Sequence, residues 1–297
     1  MKSRTVAIAR RKPPQVHGFL VVDKPAGMTS HDVVNRVRRE LGEKRVGHSG
    51  TLDPDATGVL LIGVGSVTRV LRYLTDLTKT YTGEVVLGTA TSTLDAAGEI
   101  TGTWDMASVT LAAARAAAAT LTGEIMQVPP MVSALKVDGR RLHELAREGI
   151  EVERVARPVT VHRFVVDDGP EAGVLAVEVM CSSGTYVRTL AADLGAALGG
   201  GAHLRNLRRT RIGSFTVDDA STLDELALRP ASEALRDYNR VTVDADTADL
   251  IAHGRLLAPF EGDDPWAVIG PDGALLAVYE RHGDHAKPSV VLAVPAS

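Results

Sequence analysis

The stretch GHSGTLDPDATGVLLIG, residues 47–63, constrains the fold more than any other part of this chain. Its glycines and its Asp53–Pro54 step favour tight turns, whereas the apolar run GVLLIG predicts a short buried strand. Asp53 and Asp55 therefore stand in a loop directly before a buried strand. These residues leave two explanations open: the aspartates form turns, or one of them performs chemistry at the end of the strand.

The rest of the chain changes irregularly between strand and helix patterns. Strands are predicted at HGFLVVDK, TKTYTGEVVLGTAT, RPVTVHRFVVDD and GVLAVEVMCSS, and helices at TSHDVVNRVRRELG, SVTRVLRYLTD, SVTLAAARAAAATLTG and TYVRTLAADLGAALG. Because strands and helices do not alternate strictly, an α+β fold fits better than a doubly wound parallel sheet.

Composition divides the chain into three parts. Residues 1–16 form a basic arm and residues 17–235 the main domain, while residues 236–297 form a small β-rich domain in which runs such as PWAVIG and ALLAVY alternate with turns. Within the main domain, residues 127–158 contain a Pro-Pro pair and an Asp-Gly turn. Such an irregular insertion is typical of a mobile element on an enzyme.

Signals for export or membrane insertion are missing from the sequence. No apolar run approaches the roughly 20 residues that a membrane span needs, and the apolar stretch near the N-terminus is too short for a signal peptide. The single cysteine, Cys181, excludes an intrachain disulfide and a cysteine-built zinc site, and its apolar strand predicts an inert core position. We therefore expect a cytoplasmic protein.

Charge is distributed unevenly along the chain. The net charge is −4, yet residues 1–80 hold 14 Lys and Arg against 7 Asp and Glu, and residues 212–297 hold 6 against 15. The run GAHLRNLRRTRIG adds arginines with no acid between them, namely Arg205, Arg208, Arg209 and Arg211. A solvated face is the plain explanation of any one basic cluster, but two clusters favour a nucleic-acid surface, because phosphate contacts dominate such binding.

The DPDAT segment allows one further interpretation. It matches the D-x-D-x-T pattern of aspartyl-phosphate enzymes, in which the first aspartate attacks phosphorus beside Mg²⁺. That chemistry needs a strand before the motif, so that both carboxylates emerge at its C-terminal edge. Here GHSGT precedes Asp53 and the strand follows, so the order of elements disfavours a magnesium-dependent phosphatase.

Six motifs between Gly18 and Gly213 resemble those of one enzyme family and occur in the family's order. GFLVVDKPAGMTSHDVV resembles its N-terminal motif, GHSGTLDPDATGVLLIGVGSVTR its catalytic motif, TKTYTGEVVLG its tyrosine motif and CSSGTYVRTLAADLG its arginine motif. QVPPMVSALKVDGRRLHELAREG resembles its RNA-gripping insertion, and GAHLRNLRRTRIG the strand after its last core helix. The family is that of the bacterial tRNA pseudouridine synthases that modify the T-loop uridine, position 55.

The resemblance implies a fold, a reaction and a partner. The fold is a mixed, largely antiparallel sheet with flanking helices, the insertion and a C-terminal domain of PUA type. The reaction breaks the N1–C1′ bond of uridine, turns the uracil and joins C5 to C1′; since nothing is added or lost, we expect no cofactor and no metal. The partner is the tRNA T-arm, no membrane is involved, and a monomer is the default. A non-catalytic tRNA-folding chaperone on the same fold is the alternative.

The resemblance of the motifs implies catalytic roles for Asp53, Tyr81 and Arg188. Asp53 is the carboxylate that acts as nucleophile or base, and its partner Arg188 is expected to hold the pKa of Asp53 below its usual value of about 3.9. Tyr81 stacks on the extruded base, and its hydroxyl takes the C5 proton. Because Tyr186 and Arg188 would diverge on a regular helix, we predict that GTYVR enters the site before its helix begins.

Other positions are assigned by resemblance to the substrate or to the pocket wall. The His48 ring is expected to occupy the space that the extruded base leaves. Tyr186 and Leu207 contact the substrate base. Lys24 and Pro25 shape the pocket wall rather than react.

Basic residues are expected to bind the RNA backbone. They are Arg205, Arg208, Arg209 and Arg211 in the last motif, and Lys136, Arg140 and Arg141 in the insertion. Val132 and His143 stand where the family has tyrosines. We therefore expect the stacking contributed by the insertion to differ from that of the family.

Overall fold

The structure is a computed structural model that describes residues 13–133, 135–137 and 139–293. Residues 1–12 of the predicted basic arm lie outside the described residues, as do the side chains of Lys136, Arg141 and His143. In the described part of the chain, no helix is both long and apolar enough to cross a membrane.

Strands account for most of the regular structure. Their bounds are β1 Gly18–Lys24, β2 Val46–His48, β3 Thr57–Val64, β4 Lys79–Leu87, β5 Thr89–Thr91, β6 Ile100–Thr103, β7 Gly123–Gln127, β8 Lys136–Val137, β9 Arg140–Arg141, β10 Arg157–Asp168, β11 Val174–Cys181, β12 Ala202–Ile212, β13 Phe215–Thr216, β14 Asn239–Thr242, β15 Trp266–Ile269, β16 Leu275–His282 and β17 His285–Val291. The predicted strands correspond to β1, β3, β4, β10, β11 and β12, with β5 continuing the run after β4.

One large mixed sheet forms the centre of the molecule. Its strands lie in the order β1-β3-β12-β4-β11-β10-β7, with β2 paired to β3 and β13 paired to β12. Among the described residues, β3 and β12 pair in parallel, and the other neighbours in this sheet are antiparallel. The predicted α+β class with a mixed, largely antiparallel sheet is therefore confirmed.

Helices cover the sheet and connect its strands. They are α1 Ser30–Leu41, α2 Leu71–Thr75, α3 Leu111–Thr120, α4 Leu142–Arg147, α5 Val187–Ala197 and α6 Ala245–Ala252. A reciprocal capping box between Thr29 and Asp32 begins α1, and Gly42 ends it at φ 61°. The helix predicted at SVTRVLRYLTD is instead a 3₁₀ turn, Gly65–Arg69, followed by the short α2.

The face of the sheet beneath α3 and α5 is packed with small and branched side chains. Leu190 and Leu194 of α5 lie in one buried cluster with Val177 and Val179 of β11. Ala114, Ala117 and Ala118 of α3 join the same cluster because their small side chains let the helix approach the sheet closely. This packing fixes the start of α5 over the strands that carry the candidate site.

A second sheet, with the strand order β14-β15-β16-β17, forms the C-terminal part. Its apolar face shares a buried cluster with β1, β3 and α2 of the central part. At this junction Tyr73 donates to Glu280 at 2.6 Å, and Tyr238 donates to the carbonyl of Tyr73 at 2.6 Å. The two sheets are thus joined by a common core. The division at residue 236 and the PUA type stay predictions.

The insertion leaves and rejoins the central sheet at one point. It begins where β7 ends and returns at the start of β10, and these strands are antiparallel neighbours with Gln127 opposite Arg157. Between them lie the β8–β9 hairpin and α4. The insertion is therefore anchored at both ends beside the edge of the sheet.

Candidate active site

A cleft of about 250 Å³ opens where the loop before β3, the start of β4, the start of α5 and the middle of β12 meet. Residues singled out from the sequence that line it are Asp53, Tyr81, Tyr186, Arg188, Leu207 and Arg209. They come from four segments far apart in the chain, which the central sheet brings together. A larger surface groove of about 640 Å³ lies beside the end of β4, and no histidine, lysine or arginine is among the described residues that line it. Size alone therefore does not locate the chemistry.

Asp53 and Arg188 form an ion pair in this cleft. The Nε atom of Arg188 lies 3.0 Å from Oδ2 of Asp53, and the arginine side chain is only 5% exposed. Its Nη1 reaches Oδ2 of Asp95 at 3.2 Å and the Thr93 carbonyl at 3.0 Å, while Nη2 donates to the Val132 carbonyl at 2.9 Å. The expected pairing is present, and the guanidinium is fixed by four oxygen acceptors.

The pKa of Asp53 departs from our expectation. Burial raises it above its usual value, Arg188 opposes that rise, and the charges of Asp95 and Asp55 add to it. The Asp53 side chain is still 40% exposed toward the cleft, but the surrounding protein displaces much of the water that would stabilise its charge. The expected net lowering of the Asp53 pKa is therefore wrong, because burial outweighs the lowering by Arg188 and the charge of Asp95 adds to the rise. The net effect makes Asp53 a stronger base than an ordinary aspartate.

The loop that carries Asp53 is held from below by α1 and β1. The Lys24 ammonium, fully buried, donates to the carbonyls of Pro25 at 2.9 Å, Met28 at 2.5 Å and Pro54 at 2.8 Å. Ser30 accepts a hydrogen bond from the Leu52 N–H at 2.8 Å. Lys24 thus has its three donors on main-chain oxygens. Lys24 and Pro25 were expected in the pocket wall, but neither is among the described residues that line the cleft: Lys24 supports the Asp53 loop from beneath, and Pro25 is exposed beside it.

A glycine is required where the catalytic loop enters β3. Gly58 has φ +102°, and a Cβ at this position would lie 2.1 Å from the carbonyl oxygen of Arg209 on β12. No side chain fits into that distance. Gly58 therefore allows the close parallel contact of β3 with β12, which sets Asp53 beside the cleft. Asp53 lies in the loop between the three-residue β2 and the buried β3, and not directly at the C-terminal end of a buried strand, which disfavours the aspartyl-phosphatase alternative.

Tyr186 stands at the junction between an extended segment and α5. Its backbone is extended, with φ −101° and ψ 107°, and the helix begins at Val187. The side chain of Gln127 holds this junction, accepting from the Tyr186 N–H at 2.8 Å and donating to its carbonyl at 3.2 Å. The prediction that the segment enters the cleft before the helix is confirmed for Tyr186. It is wrong for Arg188, which reaches the cleft from the first turn of the helix.

Tyr81 and Leu207 face the cleft from neighbouring strands. Tyr81 is 8% exposed, and burial raises the pKa of its phenol, which keeps the hydroxyl protonated at neutral pH. Leu207 lies in a β-bulge of β12 between Arg205 and Arg208, next to Asn206 at φ +53°. Such a bulge redirects side chains locally. Here it accompanies the placement of Leu207 in the lining of the cleft.

The four arginines of β12 do not form one RNA-facing surface. Arg209 is 1% exposed and donates to the carbonyls of Val59, Thr51 and Gly50, so its assignment to the RNA backbone is wrong. The other three differ in what they contact: Arg205 pairs with Glu84 and Glu171, Arg208 pairs with Asp23, and Arg211 is exposed. Bulges on both sides of Arg209 break the alternation of a regular strand and explain the different environments.

His48 lies outside the described lining of the cleft, to which the described part of the insertion contributes Ser133. His48 ends β2, burial lowers the pKa of its ring, and its Nδ1 has no hydrogen-bond partner in the part of the chain that the structure describes. A neutral ring suits the space-filling role, which stays a prediction. Arg140 pairs with Glu148 at the surface of the insertion. Cys181 is buried, and burial raises the pKa of its thiol to about 11, in agreement with an inert core position.

Three residues of the site escaped the sequence analysis. Asp95 shares the guanidinium of Arg188, Gln127 fixes the main chain of Tyr186, and Lys79 lines the cleft two residues before Tyr81 on β4. The alternation of a strand places Lys79 and Tyr81 on one face, and this signal was available from the sequence. Asp95 and Gln127 act through contacts across the fold that no local pattern indicates.

Comparisons with known proteins agree along almost the whole chain. Residues 38–187 match the N-terminal domain of the TruB family pseudouridylate synthases. Residues 188–244 match the tRNA pseudouridylate synthase B C-terminal domain, and residues 238–293 the C-terminal domain of tRNA pseudouridine synthase II.

Relatives of similar length are nearly half identical. The chain is 48% identical to a tRNA pseudouridine synthase B of Arthrobacter sp. (strain FB24), covering 93% of this chain and 96% of the relative. It is 48% identical to that of Rhodococcus jostii (strain RHA1), covering 97% and 99%.

Solved structures share the fold at lower identity. The crystal structure of a Cbf5-Nop10-Gar1 complex matches with a TM-score of 0.72 and 25% identity over 94% of this chain and 87% of that chain. An H/ACA RNP bound to a substrate RNA containing 2′-deoxyuridine matches with a TM-score of 0.71 and 24% identity over 93% and 85%. With the family match, the full-length relatives and the Asp53–Arg188 pair in one cleft, the chain belongs to the TruB family of pseudouridylate synthases.

Proposed function

We propose that the protein is a tRNA pseudouridine synthase that converts the T-loop uridine, position 55, to pseudouridine. The observation that carries the proposal is the Asp53–Arg188 ion pair, 3.0 Å long, at the wall of an open cleft that Tyr81 also lines. Relatives named tRNA pseudouridine synthase B, at 46–49% identity over at least 92% of this chain, support tRNA as the substrate.

The reaction is an isomerisation in which every atom is retained. The N1–C1′ bond breaks, the uracil turns, C5 bonds to C1′, and the proton of C5 is exchanged for one on N1. Asp53 serves this sequence as an ionised carboxylate that either attacks C1′, adds to the base or removes the 2′ hydrogen. Arg188 keeps the carboxylate aimed at the sugar, since its other donors are fixed by Asp95, Thr93 and Val132.

The base is extruded from the T-loop before it reacts. Extrusion costs a few kcal/mol, and stacking on an aromatic ring returns about 1–3 kcal/mol. Tyr81 and Tyr186 supply rings at the cleft, and Leu207 supplies an apolar contact. Because Tyr81 is a neutral phenol, it takes the C5 proton only by passing its own proton on; stacking is its principal role.

RNA binding uses surfaces outside the cleft. Arg211 is the exposed arginine of the last motif. The insertion supplies Lys136, Arg140 and Arg141 as further cations for the RNA backbone. The acidic C-terminal part adds little attraction for phosphate, since its net charge is negative. The active unit is a cytoplasmic monomer bound to the T-arm.

A mapping experiment tests the substrate and its position. The wild-type protein is incubated with a T-arm hairpin and with intact tRNA, and pseudouridine is located by carbodiimide labelling followed by primer extension. We expect one modified position, the T-loop uridine, in both RNAs and none after Asp53→Asn. Modification elsewhere, or none by wild type on either RNA, contradicts the proposal; unmodified RNA that nevertheless folds faster supports the chaperone.

A further inference from the structure

The floor of the cleft contains two cations that the mechanism above does not use. Lys79 is 6% exposed and Arg209 is 1% exposed. In the described part of the chain, neither forms a salt bridge. The hydrogen bonds of Lys79 end on main-chain carbonyls, and those of Arg209 end on main-chain carbonyls and on the Tyr81 hydroxyl. Burying a charge without a counter-ion costs several kcal/mol, so such a site is suited to an anionic ligand.

The two cations differ in the donors that remain. Arg209 uses Nε, Nη1 and Nη2 on the carbonyls of Val59, Thr51 and Gly50. Lys79 donates to the carbonyls of Thr75 and Leu77, both at 2.7 Å. An ammonium has three N–H groups, so one of those on Lys79 is left for a ligand in the cleft.

Lys79 lies close to the reacting groups. It precedes Tyr81 by two residues on β4, which places both side chains on one face of the strand. A Cβ at Gly50, in the loop that leads to Asp53, would lie 3.7 Å from Cε of Lys79 and 3.7 Å from Nη1 of Arg209. Both cations therefore flank the part of the cleft that receives a base stacked on Tyr81.

The proposed reaction produces an anion at that position. When the N1–C1′ bond breaks by attack on C1′ or by loss of the 2′ hydrogen, the bonding electron pair stays on uracil. The detached ring then carries a negative charge shared by N1 and its two carbonyl oxygens. A fixed donor that meets this developing charge lowers the barrier more than it strengthens substrate binding.

We propose that Lys79 donates its remaining N–H to a carbonyl oxygen of the detached uracil and stabilises the uracil anion. The positive charge of the neighbouring Arg209 adds to this stabilisation. This inference rests on the proposed function and adds a substrate-contacting residue to it. Lys79 keeps its proton throughout: C5 bonds to C1′ and releases its hydrogen as a proton, and N1 takes up a proton. The total charge and composition of the nucleotide are unchanged at the end.

The environment of Lys79 makes the role dependent on pH. Burial and the neighbouring Arg209 lower its pKa to about 8, while Cys181 of β11 and Asp76 before β4 act in the opposite direction. The protonated form is required, so the rate falls as pH rises through about 8. Burial also lowers the pKa of Lys24 to about 8, but the donors of Lys24 are all on main-chain carbonyls.

The test compares Lys79→Met with Lys79→Arg in single-turnover release of tritium from a T-arm hairpin that carries C5-tritiated uridine. We expect Lys79→Met to lower the rate by about 100- to 1000-fold at pH 7 while the Kd for the hairpin changes less than about threefold. The alkaline fall of the rate disappears in Lys79→Met. Lys79→Arg recovers at least a tenth of the rate, and its activity persists above pH 9.

The possible outcomes separate the two proposals. A wild-type protein that releases no tritium ends the proposed function and this inference together. An active wild type whose rate is unaffected by Lys79→Met, or whose alkaline fall persists in that variant, overturns the inference alone. Equal loss of rate and binding also overturns it, because that result marks a structural role. If Lys79→Met does not fold, the pH profile of Lys79→Arg decides, and a fall through pH 8 as in wild type contradicts the inference.

Discussion

Two aspartate–arginine clusters in this molecule have opposite electrostatic character. Asp53 in the cleft shares the single guanidinium of Arg188 with Asp95, and its pKa is raised chiefly by burial. Asp219, at the link to the C-terminal part, faces two guanidinium groups, and hydrogen bonds from Arg236 lower its pKa to about 2. The same two residue types thus form a reactive pair in one place and a stabilising pair in the other.

The difference lies in how many donors each carboxylate receives. Asp219 accepts from Arg236 at 2.6 and 3.3 Å and from the Thr216 N–H at 3.0 Å, and Arg229 lies 3.5 Å away. For Asp53 the described contacts give one guanidinium nitrogen at 3.0 Å. A charge that is incompletely satisfied is available to a substrate, whereas a satisfied one contributes to the free energy of unfolding.

Asp53→Asn is expected to give the largest effect. Because the carboxylate performs the chemistry, the single-turnover rate falls by at least about 10⁴-fold. Because its pKa is raised, its charge opposes folding, so the melting temperature stays equal to or rises above that of wild type. Tritium release and thermal unfolding measure the two quantities. A marked fall in the melting temperature of Asp53→Asn contradicts the claim that the charge of Asp53 opposes folding.

Arg188→Ala and Arg236→Ala are a matched pair of substitutions. Without Arg188, Asp53 is no longer aimed at the sugar, and we expect the turnover rate to fall by about 100- to 1000-fold with a much smaller change in tRNA affinity. Without Arg236, the rate at 25 °C is unchanged and stability falls. If Arg188→Ala lowers the turnover rate and the tRNA affinity by the same factor, the assignment of Arg188 to turnover and of Arg236 to stability is contradicted.

Asp219→Asn is expected to cost about 2 kcal/mol of unfolding free energy at pH 7, which urea unfolding measures. Its folded pKa lies below the unfolded value, so its stabilisation is complete above about pH 4 and is lost as pH falls through about 2. Asp53 has the opposite sign: its folded pKa lies above the unfolded value, so stability falls as pH rises through that raised pKa. The unfolding free energy of wild type minus that of each asparagine variant, followed against pH in the acid range, should therefore have slopes of opposite sign for the two positions. Slopes of the same sign contradict the pKa directions.

Arg211→Ala is expected to give the smallest effect. Arg211 is exposed and is expected to contact one phosphate. Its loss should therefore weaken RNA binding whatever the RNA sequence, and should lower the slope of the logarithm of the binding constant against the logarithm of salt concentration by about 1. Arg240→Ala, an exposed arginine on β14, is the control and should leave the slope unchanged. Identical slopes for both variants and wild type remove Arg211 from the RNA surface.

The sequence predicted what depends on local pattern and motif order. Apolar alternation and cap residues indicated the strands around the cleft and α1, and the motifs indicated that Asp53 meets Arg188. The pKa direction of Asp53 was not predictable, because it depends first on burial and then on the charge of Asp95, both of which only the fold produces. The burial of Arg209 was missed for a similar reason: two bulges in β12 alter the inward and outward alternation that a regular strand would give.

The most direct test compares wild type, Asp53→Asn and Asp219→Asn in one single-turnover assay on the tritiated T-arm hairpin at 25 °C and pH 7. Wild type and Asp219→Asn should release one equivalent of tritium per hairpin at the same rate, and Asp53→Asn should release none. Release by Asp53→Asn at the wild-type rate, or loss of release in Asp219→Asn while it remains folded, would contradict the assignment of the chemistry to the carboxylate in the cleft.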